Sequence, residues 1–529
     1  MIVALILAAG DRVVKAHLRE IPKEYVPLTE DEIREFRRVN VWRAAMETGG
    51  PSGHPSASRL PYPTDTLIRD FEGIRYTRWI PPDPQLAAGG THVGVVVNSN
   101  IAFLRKESGE VDYSNSLRGF FISVIPYGGL AFDPKIAYDI PAGRWLVLAL
   151  YYNSASRASY YLLAVSEGDD PLGGWYYYLI DAKYDDTTYR DNWADYPEIG
   201  FNDRWIVLTS QQVGFSGYDY YPKVRLLNKD SAYSGTLSGW IEDFTGSDLG
   251  CIYNWPRVSR STYDYSRDIY VIAFNHMYRI SGPTSSPQIS PCITLSLSPF
   301  SAPPNAPQGG GYDPLEVAPA TFQVLYMDGK LYYTFQEEHP LQSTLASGRF
   351  VVLDTAGFVS EDVALYESGM SWIYPAVAVS PKGVAVSFTR VGTLEGDYPS
   401  AAYVARSSSD PAFSPPRVYG DGTTWYFNDH GYGRNRWGDY FGGAADPADS
   451  SLWVIAEYPP DDTLWTTHVA NISFSRVSVM EAVSSPADMP ARVYSVDGRL
   501  VPSPRARGIY FTVEGGKVRK LLLNPYSRP

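Results

Sequence analysis

The chain has 529 residues and carries 45 lysines and arginines against 58 aspartates and glutamates, a formal net charge of −13. A nucleic-acid-binding surface needs a basic cluster, and the sequence contains none, so nucleic acid is not an expected partner. The 41 tyrosines, 45 glycines and 41 prolines suit short strands joined by tight turns. No apolar run reaches the ~20 residues that a transmembrane helix requires. We therefore expect an all-β protein without a transmembrane segment.

Residues 1–10 form an apolar run that ends in small residues. The run is typical of the second half of an export signal, although it lacks the positively charged first region. We interpret it as a short or truncated signal segment, with an ordinary first strand as the alternative. Residues 11–78 are a predicted lead-in, with a capped helix from Thr29 to Val39 and a Gly-, Pro- and Ser-rich linker from Gly49 to Pro63.

Residues 79–478 show a repeat with units of roughly 40–65 residues. Each unit opens with an Asp-Pro, Tyr-Pro or similar turn and continues with apolar strands. The second strands of the units are predicted at Gly94–Val97, Trp145–Leu150, Trp205–Thr209, Ile269–Phe274, Leu331–Phe335, Val384–Thr389 and Leu452–Glu457. Multi-stranded repeats of this length are typical of β-propeller blades. We predict a seven-bladed β-propeller, with six or eight blades as alternatives because the fifth unit has a poorly marked opening.

One segment interrupts the repeat. Gly282–Pro319 is rich in proline, serine and glycine and is predicted to be a long loop across the propeller surface, either functional or mobile. The two cysteines of the chain, Cys251 and Cys292, are compatible either with one disulfide or with two buried thiols.

Residues 479–529 are predicted to form a linker and a small β-sandwich-like domain. An Asp-Gly turn at Asp497 and Gly498 and a later Gly-Gly turn separate three short strands. Taken by itself, this pattern is compatible with a small β-domain that merely caps the propeller.

The same tail closely resembles the C-terminal sorting domain of the type IX secretion system. The family elements Tyr-Asp-x-x-Gly-Arg, Gly-x-Tyr-Phe and Lys-x-x-Lys-Leu match at Tyr494, Gly498, Arg499, Gly508, Tyr510, Lys517 and Lys520, and Ser495 replaces the usual aspartate. The resemblance implies transport by the type IX secretion machinery and a secreted or outer cell-surface location.

The propeller region resembles a group of secreted bacterial proteins. Pro81 to Asn98 is similar to their opening blade, and the Asp-Tyr-Pro-x-x-Gly and Arg-Trp-Gly-Asp-Tyr elements of the group match at Asp195–Gly200 and Arg436–Tyr440. The resemblance covers roughly residues 70–475. It implies a secreted propeller and no particular reaction.

Catalytic signatures are absent from the sequence. It contains no Gly-x-Ser-x-Gly elbow, no His-Glu-x-x-His helix, no P-loop and no Gly-x-Gly-x-x-Gly fingerprint. Its seven histidines show no metal-ligand spacing.

Four carboxylates stand at the openings of the repeat units: Asp83, Asp133, Asp195 and Asp439. Equivalent blade positions converge near a propeller axis, so these residues are candidate ligands for Ca²⁺, which takes six to eight oxygens. The alternative is that each aspartate caps backbone amides of its own turn.

A candidate binding surface at the channel mouth combines the charged and aromatic residues of two openings: Trp193, Asp195, Tyr196, Arg436, Trp437, Asp439 and Tyr440. Aromatic rings there could stack on sugars, or they could pack between blades. Asp195 and Asp439 are also the candidate carboxylate pair of a glycosidase, by position alone.

The leading hypothesis is a secreted, cell-surface-attached propeller that binds a glycan or protein ligand. The alternatives are an extracellular hydrolase or lyase acting on polysaccharide and a structural component of the cell envelope. The fold by itself does not distinguish among the three.

Overall fold

The computed structural model describes residues 12–18, 65–217, 219–237, 241–428, 434–461 and 464–474, together with a few strands beyond them. It divides into two units, Met1–Ser473 and Phe474–Pro529. Several sequence predictions lie outside the described residues: the signal segment, the helix from Thr29 to Val39, the linker Gly49–Pro63, Gly498 and Arg499.

The first unit begins with two strands that precede the repeats, β1 (Arg12–His17) and β2 (Thr66–Arg75). Four-stranded antiparallel meanders then follow along the chain. The first contains β3 (Gln85–Ala88), β4 (His92–Val97), β5 (Asn100–Arg105) and β6 (Val111–Ser116), followed by the short helix α1 (Leu117–Phe120). The second contains β7 (Leu130–Asp139), β8 (Arg144–Asn153), β9 (Ala158–Ser166) and β10 (Gly174–Asp181), followed by the small hairpin β11 (Tyr184–Asp185) and β12 (Thr188–Tyr189).

The next two meanders have shorter outer strands. The third contains β13 (Asn192–Phe201), β14 (Trp205–Gly214), β15 (Tyr220–Asn228), the helix α2 (Lys229–Tyr233) and β16 (Ile241–Phe244). The fourth contains β17 (Arg257–Ser261), β18 (Ile269–Ala273), β19 (His276–Ser281), β20 (Gln288–Ile289) and β21 (Ile293–Thr294).

Three further meanders complete the unit. The fifth contains β22 (Thr321–Met327), β23 (Lys330–Glu338), β24 (Ala346–Asp354) and β25 (Val359–Leu365). The sixth contains β26 (Met370–Ser380), β27 (Gly383–Gly392), β28 (Ser400–Ser407) and β29 (Arg417–Gly420). The last contains β30 (Gly442–Ala445), β31 (Leu452–Tyr458) and β32 (Thr466–Ser473). The last of these takes its fourth strand from β2, which pairs with β32.

The first strands of the meanders form a closed ring. Contacts run in order from β3 to β7, β13, β17, β22, β26 and β30, and from β30 back to β3. The approach is close enough that a Cβ on Gly200 would lie 2.3 Å from the Ser259 carbonyl oxygen, and one on Gly443 would lie 2.6 Å from the Val377 carbonyl oxygen. Meanders that radiate from a ring of inner strands define a β-propeller, and the N-terminal strand β2 closes it.

Burial on both faces of each meander explains why these sequences require a ring. In β8, Leu146 and Leu148 enter the apolar cluster on one side of the sheet, whereas Trp145 and Val147 enter the cluster on the other side. A strand places successive side chains on opposite faces, so an apolar run needs a neighbour on each side. Radial packing supplies both neighbours.

The predicted second strands coincide with β4, β8, β14, β18, β23, β27 and β31, although β18 ends at Ala273, one residue before its predicted end. The predicted loop Gly282–Pro319 needs a correction. It contains β20 and β21, which both pair with β19 and supply the outer edge of the fourth meander. Pro287 and Pro291 lack backbone N–H donors and interrupt this edge, which explains why its sequence is typical of a loop.

Cys251 and Cys292 are paired, with their Cα atoms 6.3 Å apart. Cys251 lies between the third and fourth meanders, and Cys292 lies between β20 and β21. The disulfide therefore ties the broken outer edge of the fourth meander to the connection that precedes it.

The second unit, Phe474–Pro529, includes a small β-sheet. It contains β33 (Glu481–Ala482), β34 (Val493–Tyr494), β35 (Gly508–Glu514) and β36 (Lys517–Leu523). β34 pairs antiparallel with β35 and β35 with β36, whereas β33 runs parallel to β36. In the described part of the whole chain, no helix is long and apolar enough to cross a membrane.

Candidate functional site

The two faces of the propeller are named from the inner strands. The upper face is the side where the first strand of each meander begins, and the lower face is the side where it ends. Connections between meanders lie on the upper face.

A left-handed residue followed by proline marks the upper end of most inner strands. Asp83, Asp133, Tyr196, Trp255 and Tyr374 have φ values of 50°, 50°, 50°, 49° and 58°, and each precedes a proline. The strand register shifts at Asp133, Tyr196 and Tyr374, which identifies a β-bulge. Proline suits a bulge because it has no N–H to leave unpaired. The bulge also changes the direction of the side chain of the residue before the proline.

Asn98 connects the first two of these aspartates. Its amide nitrogen donates to Asp83 Oδ2 at 2.7 Å, and its amide oxygen accepts from the Asp133 N–H at 2.7 Å. Asp83 Oδ1 also accepts from the Asp439 N–H at 2.6 Å, and Asp133 Oδ2 accepts from the Tyr196 N–H at 3.2 Å. The carboxylates thus join the upper ends of neighbouring inner strands by capping backbone amides.

Asp195 and Asp439 have different surroundings. Asp195 is half-buried and accepts from the N–H of Tyr196 at 3.0 Å. Asp439 is buried and binds Arg436 Nη2 at 2.6 Å, while Arg436 also contacts Glu316 at 3.4 Å. Among the described residues, no group of three or more acidic, histidine or cysteine side chains is arranged to hold a metal ion. Binding of Ca²⁺ at the four aspartates stays a prediction.

The aromatic residues of the predicted mouth pack against one another. Tyr196 contacts Tyr440 edge-on with ring centroids 5.8 Å apart, and it contacts Trp255 at 5.3 Å. Trp193 packs on Tyr152 at 5.1 Å in the core between the second and third meanders. Trp437 is buried as well and donates from Nε1 to Thr389 Oγ1 at 3.1 Å. The binding role predicted for these rings stays a prediction.

Below the aspartates, three consecutive meanders each place a charged side chain near the axis, and the sign of the charge alternates from one meander to the next. The residues after the prolines are Lys135, Glu198 and Arg257, and all three are buried. Glu198 lies 3.8 Å from Lys135 Nζ, 3.7 Å from Arg257 Nη1 and 3.1 Å from Arg260 Nη2. Burial would raise the pKa of Glu198, but the positive charges of Lys135, Arg260 and Arg257 outweigh it and lower that pKa.

The pKa values of three other buried carboxylates, Asp133, Asp83 and Glu457, shift in the opposite direction. Burial, together with the charges of Asp195 and Asp439, raises the pKa of Asp133 to about 8. Burial also raises the pKa of Asp83 and of Glu457 well above their ordinary values. Glu457 lies on β31 and escaped the sequence prediction, because no motif separates it from the apolar residues around it.

The upper face is rimmed by exposed tyrosines. In the described part of the chain, the tyrosines exposed by more than a third all lie on upper-face connections or upper strand ends, at Tyr127, Tyr189, Tyr220, Tyr253 and Tyr312. Phe427 is also exposed there. On the lower face, the described residues include one exposed aromatic side chain, Phe358, in the connection from β24 to β25. This asymmetry was not predictable from the sequence, because a tyrosine count carries no information about exposure.

The lower face contains an open groove of about 750 Å³ where the last meander meets the first two. Its lining includes Arg69 from β2, Arg105 at the end of β5, and Asp169 and Asp449 from two lower-face loops. Its floor contains Lys106, which binds Asp446 at 2.8 Å in a buried ion pair. None of these residues was a sequence candidate, because no short motif joins positions so far apart in the chain.

The central channel is narrow at its lower end. About 30 Å³ is open between the inner strands there, beside residues such as Arg260 and Gln323. Gln323 spans the channel and exchanges two hydrogen bonds with the backbone of Gly443, at 2.8 and 3.1 Å. This space has room for about two water molecules, so a larger ligand would have to bind at a face.

No protein-family model matches the chain, and no curated protein matches it. Among solved structures, Drosophila Plexin A in complex with Semaphorin 1b is similar over 84% of this chain and 94% of that chain, with 9% identity and a TM-score of 0.34. Penicillium chrysogenum α-L-arabinanase complexed with arabinobiose is similar over 65% of this chain and 94% of that chain, with 11% identity and a TM-score of 0.29. The mitotic checkpoint complex is similar over 82% of this chain and 98% of that chain, with 10% identity and a TM-score of 0.35.

Proposed function

We propose that this chain is a secreted, cell-surface-attached, seven-bladed β-propeller that binds a glycan on its upper face. The observation that carries this proposal is the rim of exposed tyrosines on that face, opposite a face with one exposed phenylalanine among the described residues. The blade count rests on the closed ring of inner strands, in which each ring member begins one meander.

Tyrosine suits this role because its ring supplies an apolar platform and its hydroxyl group stays hydrated. The exposed tyrosines are distributed over several meanders and their connections, and few aliphatic residues accompany them: Ile122, Leu341 and Leu394. A stable protein–protein interface needs a contiguous, largely apolar centre, whereas a glycan needs separate platforms with hydrogen-bonding groups between them. The rim therefore favours a glycan over a protein ligand.

Secretion and surface attachment rest on two observations. The Cys251–Cys292 disulfide suits an oxidising, extracytoplasmic compartment. The C-terminal tail resembles a type IX sorting domain, and its motif residues Tyr494, Gly508, Tyr510, Lys517 and Lys520 lie on β34, β35 and β36. A fusion of residues 479–529 to a reporter, expressed in a bacterium with that machinery, tests the export role. Retention of the reporter inside the cell would contradict it.

Matched substitutions on the two faces test glycan binding. Tyr253 and Phe358 are each 72% exposed and lie on opposite faces. Binding to insoluble and arrayed polysaccharides should weaken roughly 3- to 10-fold in Tyr253→Ala, since an aromatic contact contributes about 0.5–1.5 kcal/mol. Phe358→Ala should bind as the unmodified protein does. Equal effects of the two variants, or binding only to a protein partner, would contradict the proposal.

A further inference from the structure

Three aromatic rings of the upper face, Tyr312, Tyr398 and Trp425, lie close together, and we call them the aromatic platform. They come from the connection between β21 and β22, the loop between β27 and β28, and the connection between β29 and β30. The Tyr398 ring meets the Trp425 indole edge-on, with ring centroids 4.7 Å apart. Tyr312 is 41% exposed, whereas Tyr398 and Trp425 are half-buried. An inference from this platform deepens the proposed glycan-binding function and rests on it.

Two glycines allow Trp425 to lie against the backbone next to Tyr312. A Cβ on Gly309 would lie 2.5 Å from Trp425 Cζ2. A Cβ on Gly310 would lie 2.7 Å from Trp425 Nε1 and 3.2 Å from Tyr312 Cδ2. Gly310 also has a φ of 65°, a conformation that residues with a Cβ rarely adopt. Trp425 and Tyr312 therefore both adjoin Gly310, where a larger residue would displace one of the rings.

Gln308 holds the platform in place. It is buried, and its amide oxygen accepts from the Tyr426 N–H at 2.9 Å. Its amide nitrogen donates to the carbonyl oxygens of Tyr426 and Asp313 at 2.8 and 2.7 Å. These bonds join the connection that carries Tyr312 to the residue that follows Trp425. A preorganised surface of this kind loses little conformational freedom when it binds a ligand.

Carboxylates adjoin the platform at Tyr398. The Tyr398 hydroxyl group donates a hydrogen bond to Glu395 Oε1. Ser400 Oγ lies 2.9 Å from the Tyr398 carbonyl oxygen and 3.5 Å from Asp421 Oδ1. Glu395 and Asp421 are both exposed. A ligand that rests on the rings therefore meets negative charge beside Tyr398.

Positive charge is scarce in the three segments that form the platform, residues 295–320, 393–399 and 421–441. Their described basic residues are Arg434 and Arg436. Arg434 binds Glu316 at 2.6 Å, and Arg436 binds Asp439 at 2.6 Å, so both charges are already paired. The net charge of the chain, −13, has the same sign as the unpaired carboxylates. We therefore expect anionic glycans such as polyuronates to be repelled.

We propose that the aromatic platform binds a glycan whose sugars carry protonated amino groups, that is, a polymer of 2-amino-2-deoxy sugars. The apolar faces of the sugars stack on Tyr312 and Trp425, which supply the contact area. The ammonium groups of the glycan pair with Glu395 and Asp421, which select for positive charge. A neutral glycan with the same backbone stacks on the rings but gains no charge pairing, so it binds more weakly.

Three β-1,4-linked pentasaccharides that differ at carbon 2 test the proposal on the full chain by isothermal titration calorimetry. The glucosamine pentamer carries an ammonium group at that carbon, the N-acetylglucosamine pentamer carries an acetamide group, and cellopentaose carries a hydroxyl group. At mildly acidic pH and low salt, the glucosamine pentamer should bind roughly 5-fold more tightly than the other two, a modest preference because exposed charge pairs contribute little. A tenfold higher salt concentration should reduce this preference, since salt screens exposed charges.

The outcomes distinguish this inference from the proposed function. Equal binding of the three pentasaccharides would overturn the amino-sugar inference and leave glycan binding intact. Binding of another polysaccharide but of none of the three would do the same. Failure of the three pentasaccharides and of every polysaccharide tested would overturn the proposed function as well.

Substitutions separate the charge from the rings. Glu395→Gln should remove most of the preference for the glucosamine pentamer and leave the binding of cellopentaose unchanged. Glu107→Gln is the matched control, because Glu107 is an exposed glutamate on the lower face and its loss changes the net charge equally. Tyr312→Ala removes an exposed ring and should weaken all three pentasaccharides roughly 3- to 10-fold. Equal effects of the two glutamate variants, or unchanged binding in Tyr312→Ala, would overturn the assignment to the platform.

Discussion

On the upper face of the propeller, ionisable side chains crowd around the axis and are buried, whereas on the lower face they line an open groove. We call the buried charged residues around the axis the upper cluster; its members Glu198 and Lys135 have side chains that are 5% and 0% exposed. Arg105 of the groove is 56% exposed. Removing a charge from water costs several kcal/mol unless partners replace the water, so the upper cluster depends on its internal pairing. Arg105 therefore stays hydrated and depends less on its partners.

The difference shows that polar residues at a propeller mouth need not form an open site. The upper cluster contains more carboxylates than cations, since Asp83, Asp133, Asp195, Asp439, Glu198 and Glu457 face Lys135, Arg257, Arg260 and Arg436. The excess explains why burial and mutual repulsion raise the pKa of Asp83 and Asp133. Protons therefore neutralise part of this cluster.

The largest effect is expected from Glu198→Gln. The substitution leaves Lys135, Arg257 and Arg260 without the carboxylate that all three contact, so we expect a loss of about 3–5 kcal/mol in the free energy of unfolding. Denaturation by guanidinium chloride measures it. The double variant Glu198→Gln, Lys135→Met removes one uncompensated charge and should recover part of the loss. A single variant as stable as the unmodified protein would show that the upper cluster is not held by this pairing.

Strand positions were the part of the fold that the sequence revealed. The run Trp145–Leu150 is apolar at every position, and such a run has to be buried on both faces wherever it lies. Ring closure was not predictable in the same way. The outer strand of the last meander is β2, and its partner β32 lies almost 400 residues later, beyond the reach of any local pattern.

The site was predictable only in part. The Asp-Pro turns predicted that Asp83 and Asp133 approach the axis, and Asn98 now connects them. Their environment was not predictable, because Glu457 comes from a second strand and its sequence context is that of an ordinary core strand. The groove was missed entirely, since Arg69 and Asp169 are far apart in the chain and line one groove only because the ring closes.

The next prediction is that the pH dependence of folding stability has opposite signs for buried Asp133 of the upper face and Asp112 of the lower face. Burial raises the pKa of Asp133 to about 8, whereas an unfolded aspartate titrates near 3.9. The folded protein therefore keeps a proton that the unfolded chain releases. The stability from this group is fully present below about pH 4 and is lost as the pH rises toward 8.

Unfolding midpoints measured between pH 4 and 9 test this sign. Asp133→Asn should reduce the decline, because asparagine does not titrate. Asp112 of the groove is the counterpart: hydrogen bonds from Arg105 and His92 lower its pKa, so its contribution is present above about pH 4 and is lost as the pH falls. An unchanged profile in Asp133→Asn would contradict the buried, protonated state of that residue.

A smaller loss, about 2 kcal/mol, is expected from Lys106→Met at the floor of the groove. The variant leaves Asp446 buried without its cation, yet Asp446 keeps the donors Trp453 Nε1 and the Ala448 N–H. Its loss should therefore be smaller than that of Glu198→Gln in the same denaturation experiment. A loss equal to or larger than that of Glu198→Gln would reverse the comparison between the two faces.

The smallest effect on stability is expected from Arg105→Gln, at about 1 kcal/mol or less, because exposed ion pairs contribute little. Arg105 is 56% exposed, and its partner Asp112 keeps a hydrogen bond from His92 Nε2 at 2.9 Å. Thermal and chemical unfolding of the variant measure this effect, beside Arg157→Gln, whose arginine is 46% exposed and pairs with Asp191 on the upper face. A loss as large as that of Lys106→Met would mean that Arg105 supports the seam between the last and first meanders.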